Sequence, residues 1–158
     1  MKLIGAITSP YVRKARVVLA EKKIDCEFVI DSPWLEDTGV PAVNPLGKIP
    51  VLVLDDDTRL FDSRVIVEYL EQVKPWPMLI PVDEAQMIAV KRWEALADGV
   101  SDAAAAVFIE RRRPPAQQSQ EWVDRQPGKM ELGLRAMNDE LALKAYCVGS
   151  QYSLADIA

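Results

Sequence analysis

Hydrophobic positions in the first part of the chain switch between the period of a strand and that of a helix. Lys2 to Ile7 is a short apolar run closed by Thr8-Ser9-Pro10, which predicts a buried strand ended by a turn. Ser9-Pro10 predicts a helix start: a serine oxygen accepts from the free first-turn amides, and proline suits the first helical position. Tyr11, Ala15, Val18 and Leu19 follow at helical spacing, with Arg13, Lys14 and Arg16 largely outside that stripe. Cys26, Phe28 and Ile30 alternate with Glu27, Val29 and Asp31, the period of a second strand. Residues 31–47 form a connection rich in Pro, Asp and Gly, with room for a short helix. Val51 to Leu54 and Arg59 to Phe61 flank the polar turn Asp55-Asp56-Asp57-Thr58 and predict a hairpin. Asp62 and Ser63 then cap a helix with Val65, Ile66, Tyr69, Leu70 and Val73 on its apolar face. A strand–helix–strand unit followed by a hairpin and a helix is what a thioredoxin-like domain requires.

Proline then interrupts every regular pattern, in Lys74-Pro75-Trp76-Pro77 and again at Pro81. The expected organisation is an α/β thioredoxin-like domain at 1–74, a linker at 75–82 and an all-α domain at 83–158. Trp93, Leu96, Val100, Ala104 and Val107 form one helical stripe, and Met130, Leu134, Met137 and Leu141 form another. Pro127-Gly128 is expected to break or kink the segment before the second stripe. Ser153-x-x-Asp156 is a capping-box pattern, followed only by Leu154 to Ala158. One turn is not stable alone, so the expectation is a helical domain cut short.

Composition narrows the chemistry. Of 158 residues, 49% are apolar and 27% charged, the balance of a folded protein. A net charge of -5 excludes an electrostatic nucleic-acid binder. The one basic run, Arg111-Arg112-Arg113 before Pro114-Pro115, reads as a helix end whose cations complement the dipole. With no histidine, and with Cys26 and Cys147 far apart, neither a metal site nor a Ser-His-Asp triad is expected. No secretory signal and no stretch long enough to span a membrane is present, so the expected location is cytoplasmic.

Three segments carry a resemblance: Thr8-Ser9-Pro10-Tyr11-Val12-Arg13-Lys14, Asn44-Pro45-Leu46-Gly47-Lys48-Ile49-Pro50-Val51-Leu52, and Phe61-Asp62-Ser63. In this order and spacing the chain resembles the glutathione S-transferase family, especially its small bacterial, serine-type members. The capping box at Ser153 to Asp156 is similar to the one that opens the sixth helix of that family. The resemblance therefore covers most of the chain.

Each candidate residue has a plain structural role beside the one that the resemblance implies. Ser9 caps a helix; the resemblance makes it the residue that activates glutathione, with Thr8 and Tyr11 as neighbours able to take the role instead. Free amides and the positive dipole end favour a thiolate there, and a hydroxyl can donate to it. Pro50 would be an ordinary trans proline by base rate; the resemblance implies a cis bond that turns the Ile49 backbone toward the cysteinyl part of glutathione. Lys48 is either a solvated turn residue or a partner for the glycyl carboxylate. Asp62 and Ser63 cap a helix and, by resemblance, bind the γ-glutamyl end. Asp98 and Asp102 read as solvated or as capping a kink near Gly99, and the resemblance makes Asp98 a candidate for reaching across to a partner subunit. Trp34 stands in a variable connection, where it could line the site.

The resemblance implies glutathione as co-substrate, transfer to a hydrophobic electrophile held between the two domains, and a homodimer. Two alternatives stay open. One is a glutathione-dependent disulfide reductase or peroxidase using the same site, where serine at position 9 weighs against a protein-bound mixed disulfide but not against direct attack by bound glutathione. The other is a non-catalytic scaffold with the same fold.

Overall fold

A computed structural model of the chain describes residues 1–158. They form two compact units: Met1–Leu79 with Ile157, and Ile80–Asp156 with Ala158.

The first unit is built on a four-stranded sheet of order β2-β1-β3-β4. Strand β1 (Lys2–Gly5) pairs in parallel with β2 (Glu27–Ile30) through the crossover helix α1 (Pro10–Glu21). Parallel strands need such a crossover, and a helix supplies it. The short helix α2 (Val40–Val43) then leads to β3 (Val51–Val53), which runs antiparallel to β1 and to β4 (Arg59–Leu60). Strand β1 ends two residues earlier than its apolar run, because the Ala6 carbonyl takes the Ser9 amide and turns the chain into α1. Helix α3 (Ser63–Val73) closes the unit. Leu3, Val12, Ala15, Val18, Val51, Leu52, Ile66 and Leu70 are buried together as its core.

Two lysines depart from the sequence pattern. Lys14, four residues before Val18, is buried on the flank of the stripe rather than solvated. Lys22, just past the end of α1, is 0% exposed. Its ammonium donates to the Lys74 and Pro77 carbonyls, each at 2.8 Å, and meets Glu71 Oε2 at 2.6 Å. Glu71 Oε1 in turn accepts from the Leu79 amide at 3.0 Å. The ends of α1 and α3 and the proline-rich segment after them are thus tied at one charged node.

The second unit is a helical hairpin of α4 (Glu84–Arg111) and α5 (Gln120–Leu141), followed by the short α6 (Leu154–Ile157). The two long helices approach so closely that a Cβ on Gly133 would lie 2.4 Å from Val100 Cγ2. At the turn between them, Glu110 accepts from the Ser119 amide at 2.7 Å and pairs with Arg113. Pro127 does not break α5, which starts at Gln120, seven residues before it, and runs through to Leu141. The proline is exposed, and Gln126, buried beside it, donates its side-chain amide to the Trp122 carbonyl at 3.1 Å. The box at α6 is complete: Asp156 Oδ2 accepts from the Ser153 amide at 2.9 Å, while Oδ1 takes the Cys147 amide at 2.8 Å. No helix of the chain is long and apolar enough to cross a membrane.

Candidate functional site

Strand register decides which loops meet. In the β1–β3 pair Ile4 stands opposite Val51, so the chain leaving β1 toward Ser9 runs beside the chain entering β3 at Ile49-Pro50. In the β3–β4 pair Leu52 stands opposite Leu60, which brings the exit of β4 at Phe61-Asp62 to the same edge. Three segments distant in sequence thereby share one edge of the sheet. Helices α1 and α3, which pack on each other, both begin there.

Ser9 is the N-cap of α1, half-buried, with Oγ accepting from the Val12 amide at a long 3.4 Å. Pro10 occupies the first helical position, so one first-turn donor is absent by construction. Gly5 lets the helix sit this low on the strand: a Cβ there would stand 2.5 Å from Val12 Cγ2. Thr8 is exposed and Tyr11 half-buried beside it.

The Ile49-Pro50 bond is cis, with Pro50 buried and Lys48 exposed. No backbone hydrogen bond to the rest of the chain engages the Ile49 amide or carbonyl. The preceding turn is built by Asn44, whose carbonyl accepts from the Gly47 amide at 2.8 Å and whose Oδ1 accepts from the Leu46 amide at 3.0 Å. Gly47 adopts a φ of 60°, the left-handed region that glycine enters without a Cβ penalty. Asn44 Nδ2 reaches across this turn to donate to the Lys48 carbonyl at 2.8 Å.

Asp62 is the exposed N-cap of α3, with Oδ1 accepting from the Arg64 amide at 3.0 Å, and Ser63 beside it is buried. The site edge thus brings together Ser9, Lys48, Ile49, Pro50, Asp62 and Ser63. Trp34, in the connection before α2, is half-exposed. Asp98, expected to be solvated, is instead buried on α4, which continues unbroken through Gly99. Helical spacing explains it: Asp98 lies four residues after the buried Glu94, on the inward face that also carries Ala97.

The chain has two thiols of its own, one in each unit. Cys26 precedes β2 at the Met1 end of the sheet, opposite to Ser9, and burial raises its pKa. Cys147, in the second unit, is pushed up to about 11, first by burial and then by Asp156. Both thiols are held protonated near neutral pH. No group of three or more Cys, Asp or Glu side chains is placed to hold a metal ion.

The sequence model of the glutathione S-transferase N-terminal domain matches residues 8–73. The GST-like protein YibF of Escherichia coli is 43% identical over 141 residues, which cover 89% of this chain and 70% of YibF. The crystal structure of a glutathione S-transferase from Methylobacillus flagellatus with glutathione bound is 51% identical, with a TM-score of 0.94, over 99% of this chain and 77% of that one. A second, from Methylobacterium radiotolerans in complex with glutathione sulfonate, is 41% identical with a TM-score of 0.94, over 99% and 74%.

Proposed function

The chain belongs to the glutathione S-transferase family, and we propose that its first unit binds glutathione and activates the thiolate for attack on an electrophile. The observation that carries this reading is the convergence of Ser9, Ile49 and Asp62 on one sheet edge where two helices begin. Each offers what one part of the tripeptide needs. Asp62 supplies a carboxylate for the γ-glutamyl ammonium, and Ser63 with its amide supplies donors for the neighbouring carboxylate. The Ile49 amide and carbonyl match the donor and acceptor of the cysteinyl backbone, and Lys48 faces the glycyl carboxylate. Ser9 Oγ then stands at the sulfur. Similar proteins solved with glutathione and glutathione sulfonate support the ligand.

A free thiol has a pKa of about 8.5, so only a few per cent is ionised at neutral pH. Lowering it by roughly two units takes about 2.7 kcal/mol. The dipole end of α1 and one charge-assisted hydrogen bond from Ser9 are together of that size. Because Cys26 stands at the opposite end of the sheet and a serine stands at position 9, the attacking sulfur comes with the ligand. This favours direct transfer over a reductase that passes through a protein-bound mixed disulfide. The full reading includes a hydrophobic electrophile as second substrate, a homodimer and a cytoplasmic location.

Calorimetric titration of glutathione tests the proposal, run beside Ser9→Ala and Asp62→Ala. We expect micromolar-to-millimolar binding that Asp62→Ala abolishes. Ser9→Ala should spare affinity while removing the ultraviolet absorbance of the bound thiolate. Absence of both heat and thermal stabilisation in folded protein would overturn it and leave the scaffold alternative.

A further inference from the structure

Asn44 is 2% exposed, and both polar atoms of its side chain are spent on the loop that carries Ile49. Oδ1 holds the Leu46 amide inside the turn. Nδ2 holds the Lys48 carbonyl beyond it. That carbonyl and the Ile49 amide belong to one peptide unit, which is planar, and only the next bond, Ile49-Pro50, is cis. In a trans unit the C=O and N–H point in opposite directions. Fixing the Lys48 carbonyl toward the buried Asn44 therefore aims the Ile49 N–H away from Asn44, and that amide makes no bond to the rest of the chain.

We propose that Asn44 is a positioning residue for glutathione: through the Lys48–Ile49 peptide plane it sets the direction of the backbone donor, and so of the Ile49 edge that pairs with the cysteinyl unit. This rests on the function proposed above and extends it to a residue that never touches the ligand. Losing the Nδ2 donor frees the plane to rotate and leaves the Lys48 carbonyl unpaired. Glutathione should then bind about tenfold more weakly, the effect of one hydrogen bond. The loss should fall on the cysteinyl contact and not on the γ-glutamyl end at Asp62.

The test crosses two protein variants with two ligands. Asn44→Ser keeps a short acceptor for the Leu46 amide but cannot reach the Lys48 carbonyl, and Asn44→Asp keeps the shape and the acceptor while losing the donor. The ligands are glutathione and its trans-alkene isostere at the cysteinyl–glycyl amide, which keeps the shape but has lost the cysteinyl acceptor that would meet the Ile49 amide. Wild type should prefer glutathione by about tenfold, and that preference should shrink toward unity in whichever variant is folded by circular dichroism. In wild type, glutathione should also shift the Ile49 amide resonance and slow its hydrogen exchange. Equal weakening of both ligands would mean general damage and would overturn the positioning role, as would an unchanged preference. A wild type that binds glutathione without moving the Ile49 amide would overturn it too, while sparing the wider function. A wild type that binds neither ligand would remove both.

Discussion

Replacing Lys22 by methionine is expected to be among the most damaging changes in the first unit, although the residue stands in the charged run Glu21-Lys22-Lys23. The ammonium is fully buried and its three acceptors are all close: the Lys74 and Pro77 carbonyls at 2.8 Å and Glu71 at 2.6 Å. Methionine fills the same volume but leaves a carboxylate without its cation and two carbonyls without a donor. Breaking a buried pair from one side costs about 3–5 kcal/mol, and we take about 4 kcal/mol here. That is a large part of the 5–15 kcal/mol typical of a whole protein, and corresponds to a melting-point fall of roughly 10 °C. Lys22→Met/Glu71→Gln should recover roughly 2 kcal/mol, since no charge is then stranded and the Leu79 amide keeps its acceptor, while the two carbonyls stay unpaired. Because the node lies at the C-terminal ends of α1 and α3, about 18 Å of helix away from Ser9, the fraction that remains folded should bind glutathione with wild-type affinity. Urea unfolding followed by fluorescence and circular dichroism gives both stabilities. A single variant within about 1 kcal/mol of wild type, or a double variant worse than the single, would refute the reasoning.

Two further changes probe other features. Gly5→Ala places a methyl 2.5 Å from Val12 Cγ2, a fully buried group, and should cost about 1–3 kcal/mol by overpacking. Since the Val12 amide is the partner of Ser9 Oγ, the ultraviolet absorbance of the bound thiolate should fall as well, while affinity read by calorimetry stays near wild type. Cys147 titrates near 11 in the folded chain against 9.0 for a free thiol, so its contribution is intact below about pH 9 and lost as pH rises toward 11. Melting points of wild type should therefore drop more steeply above about pH 9 than those of Cys147→Ala; parallel curves would show that the thiol is not linked to folding.

Much of the fold was legible because its signals are local. A side-chain oxygen must stand just before a helix to serve its free amides, and Ser9, Asp62 and Ser153 all do so. The strand periods and the Asp-rich hairpin turn are equally short-range. Lys22 was illegible for the opposite reason: its burial depends on carbonyls more than fifty residues away in sequence. Asp98 was misread because a carboxylate on a helix looks solvated until the fold shows which face of that helix is buried. The break expected at Pro127 does not occur, because a proline rule ignores which side of the helix faces water, and this proline lies on the exposed side. For the candidate site, the residue types were readable from the three matching segments. Asn44 stood in the second of them, but nothing in the sequence tells that its amide reaches forward to Lys48 rather than back into its own turn.

The common edge from which α1 and α3 both depart has a consequence for how the protein can change over time. Each helix start carries roughly half a positive charge in its peptide dipoles, so about one unit of charge at this edge belongs to the backbone. Such a charge has no pKa in the accessible range and is not deleted by replacing any one side chain. Over a chain of net charge -5, the surface is free to gain or lose lysines and carboxylates while the pull on an anionic sulfur stays in place. The ability to hold a thiolate that we propose for this edge is in that sense inherited with the fold, and drift of the surface leaves it intact.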